Sequence, residues 1–289
     1  MKNYYQRCGA SLMGTEAQKI QSLKEMEKSG DYIAQSKCDG MWAVISNMGD
    51  GNKIYSRNQK ERAYPLPELP VGTMLVGELG TSSEEATKRQ QELGHNYMDV
   101  FDILIYKSEW VGFKSDVERL EILDKFLKES NDETKKCYLK VKVYTKDFVK
   151  NYKEENEGLV LKKVRGIDSS YLPGSTNTNW IKCKHEYDFD MVIMDYELSV
   201  AETKKSQPMV KSVIVGQYID GTLTKLTKVG NMPLDMCKDI AQNFKNYKNK
   251  VVTIHGYKQF KSGAIRHASY KCMRDDKDAK DCTFRPEEC

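Results

Sequence analysis

Near residue 188 the sequence changes texture, and this change limits the fold more than any other feature. Downstream, short apolar runs alternate with turns. SVIVGQYIDGTLTKLTKV carries an Asp-Gly hairpin signal, and NKVVTIHGYKQF and IRHASYKCM read as further strands. One helix, LDMCKDIAQNFKNY, interrupts them. Short strands around a single helix predict a small β-barrel over residues 189–289, of which the OB-fold is a common form. Upstream, residues 1–188 mix helices with strands. EAQKIQSLKEMEKSG reads as an amphipathic helix capped at Gly30, DVERLEILDKFLKES as a second helix, and TKDFVKNYKEENE as a short third. YIAQSK, MWAVIS, NKIYSR, TMLVGELG, YMDVFDILIY, GLVLKKV and NWIKCK read as strands, FDMVIMDYEL leads into the second part, and NMGDGN is a glycine-bearing turn. The expected class is α+β, with domains at 1–188 and 189–289; 289 residues suffice for both.

Composition narrows the functional classes. No apolar run is long enough to cross a bilayer. The opening MKNYYQRCGASLMGTEAQ lacks the apolar stretch of a secretory signal, so a cytoplasmic protein is expected, or one of the host cytoplasm if viral. The eight cysteines are scattered without a C-x-x-C pair, which argues against a zinc module and for reduced thiols. Residues 1–188 balance 29 basic against 29 acidic side chains, whereas 245–285 hold 11 basic against 4 acidic. A basic segment suits a phosphate-rich partner, although a solvated lysine face would look the same.

Lys37 stands before Cys38, Asp39 and Gly40 at the end of an apolar run. An amine is a nucleophile only when uncharged, and desolvation or neighbouring cations lower its pKa. Lys182 and Lys184 lie two apart in NWIKCK, so a strand would point both to one face. Such a pair would bind a phosphate and disfavour the charge of a third amine nearby; an exposed edge strand is the alternative. Glu78 interrupts an apolar strand and needs a partner, either a ribose hydroxyl or a structural hydrogen bond. Glu157 opens another apolar strand, with Lys162 and Lys163 behind it, and is a candidate for holding a metal or an amine. Arg57 in YSRN suits a phosphate or plain surface; Phe101 in VFDIL suits a base or the core.

In order, the chain carries K-x-D-G, S-R-N, G-E, F-D, E-G-L-V-L-K, W-I-K-x-K and R-D-D-K. This series, from about residue 32 to 282, resembles the covalent nucleotidyltransferases, and its ending resembles compact two-domain ATP-dependent DNA ligases. The resemblance implies a nucleotidyltransferase (adenylation) domain with antiparallel sheets and flanking helices, then a mobile OB-fold. Lys37 would attack the α-phosphorus of ATP and carry AMP. That AMP would pass to the 5′-phosphate of a nick in duplex DNA, and the 3′-hydroxyl would then seal the strand. Glu78 would hold the ribose, Phe101 would stack on adenine, and Gln35 would lie at the adenine edge. Arg57 would contact nucleotide or nick phosphate, Lys182 and Lys184 the α-phosphate. Glu157 would support Mg²⁺ or another divalent ion. Arg274, Asp275, Asp276 and Lys277 would orient the departing pyrophosphate. A monomer without membrane contact or obligate protein partner is expected.

Two positions depart from the pattern. Trp42 stands five residues after Lys37, where the resembling ligases usually have arginine, and Ser175 follows Gly174 where arginine is also common. Trp42 either packs in the core or stacks on nucleotide or a strand end. The sequence given holds no upstream domain and no four-cysteine module, so ATP rather than NAD is the expected nucleotide. A loop at 202–211 is expected to order on DNA. An RNA ligase, a capping guanylyltransferase and a catalytically idle OB-containing nucleic-acid binder are the alternatives.

Overall fold

The computed structural model describes residues 3–81, 84–166, 168–199 and 208–288. Residues 202–207 of the expected DNA-ordered loop lie outside them. The chain divides into two units, Met1–Lys184 and His185–Cys289.

Helices of the first unit start where the sequence offers a cap. Thr15 and Gln18 form a capping box at the head of α1 (Glu16–Ser29), and Gly30 ends it in the left-handed region at φ 68°. Then follow, after β1 (Arg7–Ser11) and α1, strands β2 (Tyr32–Ser36), β3 (Met41–Asn47), β4 (Asn52–Ser56) and β5 (Thr73–Leu79). Helix α2 (Glu84–Leu93) leads to β6 (Met98–Tyr106) and β7 (Glu109–Trp110). Ser115 and Glu118 make a second capping box on α3 (Asp116–Glu129). The unit is completed by α4 (Asp132–Cys137), β8 (Tyr138–Lys140), β9 (Val143–Tyr144), α5 (Phe148–Glu154), β10 (Gly158–Lys163) and β11 (Thr176–Lys184).

These strands build two sheets. One runs β1-β11-β10-β2-β9; the other runs β4-β3-β5-β6-β7, with β8 beside β6. The sheets are not wholly antiparallel as expected: β1 runs parallel to β11 and β8 parallel to β6. Both additions join strands far apart in sequence, or joined through helices, so no hairpin dictates their direction. Leu23 of α1 and Phe148 and Tyr152 of α5 pack on Ala34, Leu159, Leu161 and Cys183 of the first sheet. Leu120, Leu123 and Phe126 of α3 pack on Ile45, Leu75, Met98, Val100 and Ile103 of the second.

In the second unit, β12 (Tyr187–Leu198), β13 (Val210–Ile219) and β14 (Thr222–Val229) form a meander. The predicted Asp220–Gly221 turn has positive φ at both residues, 49° and 77°, as a two-residue hairpin turn requires. After α6 (Leu234–Asn243), β15 (Val251–Gly256) pairs with β12, and β16 (Ser269–Arg274) pairs with β15. The sheet order is β14-β13-β12-β15-β16, and a parallel bridge from Gly230 to Ser269 links its outer strands. The seven described cysteines are free thiols, and no described helix is long and apolar enough to cross a membrane.

Candidate active site

Strand periodicity sorts the first sheet into two faces. Ala34, Leu159, Leu161 and Cys183 meet the helices; their alternates Gln35, Val160, Lys162, Trp180, Lys182 and Lys184 line a cavity of about 490 Å³. Register reinforces this: Val160 stands opposite both Gln35 and Lys182, and Lys162 opposite Trp180. The second sheet adds Trp42, Ser56, Glu78 and Phe101. Phe101 faces the cavity because of a β-bulge, where Val76 and Gly77 pair with Asp102 and Val100 and Phe101 is the extra residue. Phe101 also packs against the core cluster that includes Val76 and Leu104, so it serves both core and cavity.

The motif glycines allow close approach of backbone. A Cβ on Gly40 would lie 2.4 Å from the Leu79 carbonyl oxygen. Gly158 has φ 97°, and its Cβ would lie 2.1 Å from the Cys183 carbonyl. That glycine's carbonyl accepts the Lys37 backbone N–H at 3.0 Å, fixing the residue just past the end of β2.

Lys37 Nζ donates to Glu157 Oε2 at 3.0 Å and to the Cys38 carbonyl at 3.3 Å. Burial pulls its pKa down, but the charges of Glu157, Glu78 and Asp39 outweigh burial and leave the amine above its usual value. This reverses the expected direction, because three acids near the amine outweigh its desolvation. Burial raises Glu78 to about 7, opposed by Lys37 and assisted by Asp39. Gln35 is 2% exposed and donates Nε2 to the Phe101 carbonyl at 3.3 Å, tying the two sheets.

Several wall residues escaped sequence reasoning. Lys162 is 1% exposed, pairs with Asp116 Oδ1 at 3.1 Å, and lies 4.0 Å from the Trp180 ring centre and 5.8 Å from that of Phe101. Its place two residues after Val160 was the available signal. Gln6 is buried on the wall with Nε2 lacking a protein partner, a donor for whatever fills the cavity. Tyr5, Cys8 and Arg62 also line it, and nothing local in sequence announced them. Trp42 packs edge-on against Tyr5 at 4.9 Å and lines the cavity.

Arg274 and Lys277 belong to the second unit. Arg274 grips Asp276 through two 2.8 Å hydrogen bonds and reaches Asp190 at 3.3 Å; Lys277 meets Asp190 at 2.8 Å. Among the described residues no group of three His, Cys, Asp or Glu converges to hold a metal ion. Glu157 can contribute one carboxylate, which fits Mg²⁺ when phosphate oxygens and water complete its shell.

Residues 73–184 match the family described as ATP dependent DNA ligase domain. The chain is 27% identical over 227 residues to an SPbeta prophage-derived DNA ligase-like protein, LigB, of Bacillus subtilis, covering 70% of this chain and 75% of that one. Four further curated relatives, described as DNA ligases, are longer, and the chain spans 25% to 54% of their length. Among solved structures, one described as Pmar-Lig_Pre superposes with TM-score 0.67 at 15% identity, covering 96% of this chain and 69% of that one. A Lig E DNA ligase, described as binding DNA with a minimal scaffold, superposes with TM-score 0.60 at 18% identity over 92% of this chain and 99% of that one. The fold is therefore that of ligase catalytic cores, and the resemblance to compact ATP-dependent DNA ligases holds.

Proposed function

We propose that this ATP-dependent DNA ligase seals nicks in duplex DNA, joining 3′-hydroxyl and 5′-phosphate ends through AMP carried on Lys37. The observation that carries the reading is one cavity lined by Lys37 just past β2, by Lys182 and Lys184 on β11, by an aromatic at a β-bulge and by a buried amide. ATP fits that wall. Phe101 and Gln35 would meet the adenine, Glu78 the ribose, and Lys182 and Lys184 the α-phosphate. The cations neutralise charge that builds up in phosphoryl transfer, where alignment does most of the catalytic work. Lys37 must lose a proton before it attacks, and Glu157 at 3.0 Å is placed to accept it. Mg²⁺ on Glu157 and the phosphates would supply further neutralisation.

We read the second unit as an OB-fold, supported by its five-strand order, the helix between the third and fourth strands and the parallel bridge joining the outer strands. Its Arg274 and Lys277 would trade Asp190 and Asp276 for phosphates, and its basic surface would follow a DNA backbone without reading sequence. The working form in this reading is a cytoplasmic monomer.

Labelled ATP, GTP and NAD, each with Mg²⁺, test the reading on denaturing gels. The expected result is acid-labile label from ATP alone, absent from Lys37→Ala and from Lys37→Arg, whose guanidinium stays protonated. Sealing of nicked DNA in preference to nicked RNA completes it. Label from GTP alone, or none from a preparation shown to be free of bound AMP, overturns it.

A further inference from the structure

The second unit opens with His185, Glu186 and Tyr187, and Tyr187 begins β12. In extended backbone, residues two apart share a face, and two residues rise about 6.7 Å. His185 and Tyr187 follow this rule: their ring centres stand 6.4 Å apart, with the planes 17° from parallel. Ring pairs that serve packing meet at steeper angles, Tyr5 with Trp42 at 78°, Tyr171 with Trp180 at 68° and Tyr257 with His267 at 68°. Stacked bases of one nucleic-acid strand lie about 3.4 Å apart, so a flat ring held between two others needs about 6.8 Å. The spacing of His185 and Tyr187 matches that need.

The surroundings keep the pair open and in place. Tyr187 is 50% exposed. It stands opposite Gly256 of β15, so the directly paired position carries no side chain to cover it. A Cβ on that glycine would lie 2.2 Å from Ile265 Cγ2 and 3.1 Å from the Arg266 carbonyl oxygen. Along the strand Tyr187 is followed by Phe189, with ring centres 6.3 Å apart, and Phe189 packs on the core cluster that includes Met191, Ile254 and Ile265. The acids between the rings face away. Glu186 and Asp188 meet His255 at 3.7 Å and 3.2 Å on the other face of the strand. The hairpin that follows Gly256 carries Lys258, Lys261 and Arg266, and Arg266 N–H donates to the Lys258 carbonyl at 2.8 Å. This hairpin belongs to the segment with 11 basic and 4 acidic side chains, residues 245–285.

We propose that His185 and Tyr187 form a slot for one unpaired nucleobase of a single-stranded stretch of nucleic acid, with the cationic hairpin meeting the adjoining phosphates. Every base has a flat π face, so such a slot is indifferent to sequence. A paired base is already stacked within its duplex and has to leave the helix to enter. The slot therefore distinguishes a strand with an unpaired base from intact duplex. Phosphates alone gain nothing from two flat rings, so the ligand is a base-bearing strand and not a plain polyanion. The site lies within the second unit and is separate from the Lys37 cavity.

Binding of the full chain to two labelled single strands tests this: an oligothymidylate, and an abasic sugar-phosphate strand of the same length. Wild type should prefer the base-bearing strand by about tenfold, the gain expected from one stacked base. Tyr187→Ala and Tyr187→Leu should lose most of that preference, and Tyr187→Phe, which keeps the ring, should retain it. His185→Ala should lose about as much as Tyr187→Ala, and the double variant little more, because removing either wall opens the slot. Affinity for the abasic strand should stay nearly unchanged in every variant, which separates a lost slot from a lost fold. A preference as large in Tyr187→Leu as in wild type overturns the proposal. So does a full preference in His185→Ala, which would leave Tyr187 as a one-sided platform. The measurement needs neither ATP nor turnover, so its failure is distinct from failure of the ligase reading, which would show as absent label from ATP.

Discussion

The two units differ in whether they bury ion pairs: both carry exposed ones, such as Lys88 with Glu92 in the first, but among the described residues the first alone also closes some away from solvent. In the first, some ionic groups are drawn inward. Arg119 is fully buried against Asp102 at 2.7 Å and Asp116 at 2.9 Å, Lys162 joins Asp116, and Lys37 of the cavity wall pairs with the largely buried Glu157. In the second, the pairs of Lys225 with Asp195, Lys228 with Glu197 and Lys271 with Asp188 lie at the surface. Buried charges hold one another in place and shift each other's protonation; exposed pairs are weak and can be exchanged for a phosphate. The first arrangement suits a fixed reaction centre, the second a surface that grips and releases a polyanion.

The largest test of this contrast is Asp116→Ala. It leaves Lys162 buried without its carboxylate and Arg119 with Asp102 alone, and should cost about 3–5 kcal/mol in denaturant unfolding. A loss below 1 kcal/mol would place the network on the same footing as the surface pairs. Next is Glu78→Gln. Folding raises the Glu78 pKa to about 7, so the folded chain binds a proton the unfolded chain has released, and stability falls as pH rises from the usual carboxylate range through 7. The glutamine should therefore stabilise by roughly 1–3 kcal/mol at pH 8 and make little difference at pH 4, by thermal unfolding at each pH. A gain that does not vary with pH would deny the burial penalty.

Glu157→Gln sharpens the same point kinetically. Removing this charge lowers the Lys37 pKa, so the rising limb of residual adenylation against pH should move to lower pH. A limb that stays put would separate the carboxylate from the amine's ionisation. The smallest effect belongs to the second unit: Asp195→Ala removes a surface partner of Lys225 and an acceptor of the Tyr196 N–H, and should leave the denaturant midpoint nearly unchanged.

Much of the candidate site was legible one residue at a time. Helix starts at Thr15 and Ser115 are written in their capping residues. The two-residue spacing of Lys182 and Lys184 placed them on one face, and β11 keeps them there. Phe101 was undecided between core and cavity, because a bulge depends on how two strands pair and leaves no local mark. The parallel attachment of β1 brings Tyr5 and Gln6 to the wall from the far end of the chain. No periodicity within an N-terminal segment can encode that arrival.

By itself, the sequence determined which chemical groups the chain carries, their order, and the local helices and turns that space them, since caps, glycines and alternation act over a few residues. Only the tertiary structure decided that Arg62 and Lys162 share a cavity with Lys37, and that the Lys37 amine is held protonated. Those outcomes depend on Coulomb interactions and strand pairings between residues distant in sequence, which take effect only when the sheets have closed around the cavity.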